Sequence, residues 1–193
     1  MSELAENPAA SPTQAHADVR KIAVKARELT RSLDEIVWAV NPQYDTLDSL
    51  VTYSCDYAQD YLQSAGIVCR MDIPTQLPEV QLTADVRHNL LMTLKEALNN
   101  VVKHAEASEV QITVTLKPHL FILVIRDNGK GFHLEQPPET HEKKITPTAP
   151  RGLGGNGLQN MRQRIEGIGG RFTLASQPKQ GTDVTLTVFF GNQ

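Results

Sequence analysis

The stretch KEALNNVVKHA, residues 95–105, decides how this chain is read. It belongs to an apolar helical pattern over residues 84–106, opened by Thr83 or Asp85. At about 100° per residue, Leu90, Leu91, Leu94, Leu98, Val101 and Ala105 gather on one side of that helix. Glu96, Asn100 and Lys103 fall on the opposite side, flanked by Asn99 and His104. A solvated helix face usually carries Lys, Arg and Glu at four-residue spacing. Two adjacent asparagines are poor helix formers and stabilise nothing there. A carboxamide oxygen does complete an octahedral Mg2+ shell that also holds phosphates and waters. A lysine offers a point charge to a phosphate, and a carboxylate orients a water or a nucleophile. On this strip alone, a solvated face and a metal–phosphate site stand as open alternatives.

Downstream, VQITVTL (110–116) and LFILVIR (120–126) read as two strands of a hairpin around Lys117-Pro118-His119. The second strand runs into VIRDNGKGF (124–132). Asp-Asn-Gly is a strong turn signal and would join two strands here. The same residues also suit a nucleobase: Asp127 would accept from an exocyclic amine, and Gly129 and Gly131 would let the backbone approach a flat ring. Residues 133–151 hold four prolines, many charges and no apolar period. A structureless stretch of that length in a compact domain points to a functional lid. RGLGGNGLQNM (151–161) then leads into a helix over about 157–167. Gly152, Gly154 and Gly157 spell a dinucleotide fingerprint, but no strand precedes them, so that fold is excluded. Glycines at a helix N-terminus still offer several N–H donors to a phosphate, or simply hinge a lid. The strands RFTLAS (171–176) and TDVTLTVFF (182–190) close the chain.

Upstream, IVCRMDI (67–73) alternates like a strand, and a helix over about 46–65 is capped by Asp45 or Thr46 and closed by Gly66. Before it, Val19, Ile22, Ala26, Leu29, Leu33, Ile36 and Val40 step by three and four. That is a heptad seam on a helix over about 14–40, which wants a bundle or dimer partner. The 193 residues, 40% of them hydrophobic, suffice for one compact domain and an appendage. The net charge of −3 leaves no basic field, which excludes nucleic acid as a partner. No apolar run is long enough to cross a bilayer. Cys55 and Cys69 lack metal-ligand spacing and read as reduced, buried thiols of a cytoplasmic protein. Helices would therefore cover one side of a mixed, mostly antiparallel sheet.

Taken in order, E-x-L-x-N-x-x-K-H-A, D-N-G-x-G-F and G-x-G-L-x-x-M resemble the GHKL, or Bergerat-fold, ATP-binding domain. More narrowly, they resemble bacterial sensor histidine kinases that pair with NarL/LuxR-type response regulators. ARELTRSLDEIVWAVNP (26–42) is similar to the second helix of that class's dimerisation and phosphotransfer hairpin. The resemblance implies an α/β two-layer sandwich over 43–193, with a lid at about 133–154, preceded by a remnant of the hairpin in 1–42. It implies ATP and Mg2+ as ligands, with Asn100 on the metal and Glu96, Lys103 and His104 near the phosphates. Asp127 would read the adenine amine, with Gly129 and Gly131 under the ring. Asn99 would flank the metal site. Gly155, Gly157 and Leu158 would lie at the phosphates, and Thr182 near the adenine pocket; Thr182 is equally a strand-starting residue. Partners would be a response regulator of that type and a second copy through the hairpin helix, in a parent compatible with membrane anchoring.

Two departures stand out. In this class the phosphoryl acceptor is a His directly followed by an acidic residue, on a helix after an Arg-rich run, and the chain holds no such helix. His16 is followed by Ala17 and lies on the wrong helix, and His88, His119, His133 and His141 match nothing in the pattern. The chain therefore reads as a fragment beginning just before the hairpin turn, with SELAEN (2–7) as the tail of the missing helix. Second, Asn156 stands where many relatives carry His. Two rivals remain: a compact serine/threonine kinase of the anti-sigma type, and a non-catalytic, nucleotide-gated dimerisation module.

Overall fold

Among the described residues, apolar residues at every second position become five strands: β1 (Val68–Asp72), β2 (Glu109–Lys117), β3 (Leu120–Asp127), β4 (Arg171–Ser176) and β5 (Thr182–Phe189). The computed structural model describes residue 22 and residues 41–134 and 157–190. The chain divides into two compact units, Met1–Asn41 and Pro42–Gln193. In the first, only Ile22 and Asn41 are described; Ile22 is helical and exposed. The remainder of the heptad helix, SELAEN and His16 lie outside the described residues.

In the second unit the sheet order is β1-β2-β3-β5-β4. Only β1 and β2 pair in parallel; the other neighbours are antiparallel. The parallel pair needs a crossover, and helix α2 (Ala84–Asn100) with the π turn Val101–Ala105 lies within it. Strands β2 and β3 are joined by Pro118 and His119, the latter at φ 60°. Register fixes which face is buried. Val110, Ile112 and Val114 of β2, Phe121, Leu123 and Ile125 of β3, and Val184, Leu186 and Val188 of β5 are all buried. Of these, Ile112, Val114, Phe121 and Leu123 meet Leu50 and Val51 of α1 (Leu47–Ser64) and Leu90 and Leu94 of α2. The opposite face carries Thr113 and Thr115 of β2, Ile122 and Val124 of β3, Thr185 and Thr187 of β5, and one bidentate cross-strand pair. There Arg126 Nε and Nη2 donate to the two Asp183 carboxylate oxygens at 2.8 and 2.7 Å.

The helix ends are set by local chemistry. Thr46 caps α1 by accepting from the Ser49 N–H at 3.1 Å, and Thr83 caps α2 by accepting from the Val86 N–H at 3.3 Å. Gly66 ends α1 at φ 74°; its own N–H reaches the Gln63 carbonyl, and the next N–H, of Ile67, reaches that of Leu62. Helix α3 (Gly157–Gly167) ends in the same way, with Gly169 at φ 74° and Gly170 N–H on the Ile165 carbonyl. Among the described residues, no helix is long and apolar enough to cross a membrane. Cys55 and Cys69 are free and half-buried rather than fully buried, and burial raises both thiol pKa values.

Candidate functional site

The sequence predicts one unbroken helix over 84–106; the structure ends α2 at Asn100 and inserts the π turn Val101–Ala105, closed by Glu106 at φ 55°. The cause is tertiary. The Lys130 N–H donates to the Ala105 carbonyl at 2.8 Å, which draws the DNGKGF loop onto the helix end. Gly129 lies so close to Ala105 that a Cβ there would overlap its carbonyl oxygen. A π turn is wider than an α turn and recurs at functional sites. It advances less per residue, so Lys103 and His104, although consecutive, both line one cavity with Asn100.

Asp127, the last residue of β3, forms another part of that cavity. It is 5% exposed. Its Oδ1 accepts from the Gly129 N–H at 2.8 Å, and Thr182 donates to the carboxylate from backbone and side chain. Burial nonetheless raises its pKa above the ordinary carboxylate value, and nearby Asp183 adds to the rise while these donors moderate it. The DNG turn joins no hairpin. Asn128 instead ties back to the start of β2, its Oδ1 accepting from the Ser108 and Glu109 N–H groups at 3.0 Å. Gly131, at φ 56°, passes so close to the Gln177 and Gly181 carbonyls that no Cβ fits. Gly131→Ala is therefore expected to distort this loop and destabilise the fold, by strain of order 1–3 kcal/mol plus overlap; a lowered melting temperature of the variant measures it.

The cavity has a volume of about 330 Å3, within the range of small-ligand sites. Its walls are apolar: Ala97, Val101, Ile125, Leu174, Val184 and Met161. Its polar groups are Asn100, Lys103, His104, Lys130, Asp127 and Thr182, with Gly131 and Leu158 also in the wall. Other residues singled out from sequence are used differently. Asn99 turns toward α1, where its Oδ1 accepts from the Tyr61 hydroxyl at 3.3 Å. Glu96 lies against Gly157, the first residue of α3, leaving no space for a Cβ. Gly129 supports Asp127 through its N–H rather than lining the cavity. Gly155 and residues 135–154 of the expected lid lie outside the described residues; His133 and Leu134 are exposed. Sequence reasoning passed over Lys130 and Phe132, although both stand inside DNGKGF.

The donor set bears on which metal fits. Among the described residues no group of three or more His, Cys, Asp or Glu side chains is placed to hold an ion. Asn100 offers one neutral carboxamide oxygen beside two basic residues. That suits an Mg2+ whose remaining ligands are phosphates and water, not a metal bound by protein alone.

Residues 85–192 match the family described as histidine kinase-, DNA gyrase B-, and HSP90-like ATPase. The chain belongs to that family. It is 33% identical over 127 residues to the signal transduction histidine-protein kinase/phosphatase UhpB of Salmonella typhimurium, covering 66% of this chain and 22% of UhpB. It is 32% identical over 119 residues to the nitrate/nitrite sensor protein NarQ of Escherichia coli, covering 61% of this chain and 19% of NarQ. The chain thus spans about a fifth of the length of these relatives. The solved histidine kinase AdeS of Acinetobacter baumannii shares the fold, with a TM-score of 0.60 at 16% identity over 95% of this chain and 87% of that one. The expected α/β sandwich of helices on a mixed, mostly antiparallel sheet is the observed fold.

Proposed function

We propose that this chain is the ATP-binding catalytic part of a two-component sensor histidine kinase. In this reading, residues 1–42 contribute the second helix of its dimerisation hairpin, and 43–193 form the catalytic domain. The observation that carries the reading is the shared cavity: a buried carboxylate, Asp127, and the Asn100–Lys103–His104 group line one apolar-walled space. An adenine ring fits between Ile125, Val184 and Met161, with its exocyclic amine donating to Asp127. Lys103 then neutralises phosphate charge, His104 lies beside the phosphate tail, and Asn100 offers its side-chain oxygen to the metal. Mg2+, when bound, supplies charge neutralisation on the phosphate oxygens. Thr182 accompanies Asp127 at the base. Gly157 and Leu158 border the phosphates; Gly155 belongs to the same motif in sequence. Glu96, one helical turn before Asn100 and close to Gly157 at the start of α3, stands near the phosphates as the carboxylate of the motif. An imidazole nitrogen is already nucleophilic, so the work of these residues is positioning and electrostatics.

The phosphoryl acceptor is a histidine of the dimerisation hairpin that none of the chain's six histidines matches. The final acceptor is an aspartate of a response regulator, of the NarL/LuxR type. The likeness to the histidine-protein kinase/phosphatase UhpB supports the kinase reading, and the regulator type rests on the resemblance of the motifs. Titration of ATP onto the protein is expected to show saturable binding that requires Mg2+ and that weakens at least tenfold in Asn100→Ala, by loss of a ligand to the metal. Unchanged binding in both Asn100→Ala and Asp127→Ala sinks the assignment of this cavity. Incubation with labelled ATP is expected to leave the isolated chain unlabelled.

A further inference from the structure

Ser176, the last residue of β4, was not read as functional from sequence, yet its hydroxyl joins three parts of the base end of the cavity. It accepts from the Phe132 N–H at 2.9 Å and donates to the Gly181 carbonyl at 2.9 Å. It lies 3.1 Å from Thr182 Oγ1. A serine hydroxyl has one proton and two lone pairs. The proton is committed, because the Gly181 carbonyl only accepts. One lone pair holds Phe132, which forms part of the cavity wall. The other faces Thr182. Thr182 also has a single hydroxyl proton, and two groups compete for it: Ser176 Oγ and the Asp127 carboxylate.

We propose that Ser176 is a positioning residue for nucleobase selection, one that fixes the Thr182 hydroxyl and the Phe132 wall around Asp127. This rests on the nucleotide-site reading given above. When an exocyclic amine donates to Asp127, the carboxylate gains a donor and the Thr182 proton turns to Ser176, which has the free lone pair to receive it. A 6-oxo base makes no such bond, so its binding draws little on Ser176. The phosphate end, built on α2 and the π turn, is independent of it.

The test compares binding of Mg-ATP and Mg-ITP to the wild-type chain and its Ser176→Ala variant by calorimetry. Wild type is expected to prefer ATP, and Ser176→Ala to reduce ATP affinity about tenfold while changing ITP affinity less than threefold, by loss of one hydrogen-bonding hub. Ser176→Thr, which keeps the hydroxyl, is expected to restore the preference. Equal losses for both nucleotides, or a preference unchanged in Ser176→Ala, overturn the proposal. If the alanine variant does not fold, Ser176→Cys, close in volume and a poor acceptor, must show the same collapse of the ATP/ITP ratio, and a retained ratio overturns the proposal. Failure of the wild-type chain to bind either nucleotide would instead count against the cavity assignment.

Discussion

Asp127→Asn is expected to weaken ATP binding by roughly 100-fold or more and to change how stability depends on pH. The affinity loss follows from donor counting. The carboxylate already receives the Gly129 N–H at 2.8 Å and the Thr182 donors. An amide at the same place has one acceptor and one donating NH2 group. Whichever way it turns, an N–H faces either the incoming base amine or a backbone N–H. A charged hydrogen bond lost with its partner left unsatisfied costs about 3 kcal/mol, which is that factor.

The stability effect has a definite sign. Burial raises the folded-state pKa of Asp127 above its unfolded value of 3.8. The stability this group contributes is therefore complete below the unfolded pKa and lost as pH rises through the folded one. Asn carries no charge and has no such dependence. The amide brings a constant offset of its own, but the difference in stability must move in favour of Asp127→Asn as pH rises through the folded pKa. Urea denaturation of both nucleotide-free proteins from acid to neutral pH measures it. A difference independent of pH would mean that the folded pKa is not raised. ATP binding by the wild type is expected to fail on acidification at a higher pH than an ordinary carboxylate would give.

Much of this was legible because the signals are local. The strands sit within a residue or two of the alternating runs, and Thr46, Thr83 and Gly66 act as the caps their positions indicate. Asn100, Lys103, His104, Asp127, Gly131, Leu158 and Thr182, which come from three separate motifs, line one cavity. Thr182 is the first residue of β5 and part of that cavity. What failed to show in sequence depends on tertiary contact. VVKHA contains ordinary helical residues, and only the Lys130 N–H and the close approach of Gly129 account for its π geometry. Asn99 was grouped with Asn100 by adjacency, yet a hydroxyl on α1 engages it. Ser176 acquires its role only from strand register, which sets it opposite Thr182.

Asp45→Ala is expected to destabilise the Pro42–Gln193 unit by about 3 kcal/mol, and Arg87→Met to remove most of that penalty in the double variant. Arg87 sits in the first turns of α2 with its side chain 1% exposed and pairs with Asp45, which is 35% exposed. Around them the backbone is already tied: Leu82 N–H donates to the Asp45 carbonyl at 2.6 Å and Leu47 N–H to the Val80 carbonyl at 2.9 Å. The ion pair thus locks the entry of α1 against the entry of α2, the helix whose far end carries Asn100. Removing the carboxylate takes a charged partner from a guanidinium that water barely reaches, and breaking such a pair costs about 3–5 kcal/mol when it is fully buried. The partial exposure of Asp45 places the effect at the lower end, a fall in melting temperature of about 6–12 °C. With Met at position 87 no charge needs a partner, and the longer apolar side chain keeps much of the packing volume. Asp45→Ala/Arg87→Met should therefore melt above Asp45→Ala alone. A double variant that melts at or below the Asp45→Ala single variant would show that the backbone bridge, not the buried charge pair, holds the two helix entries together.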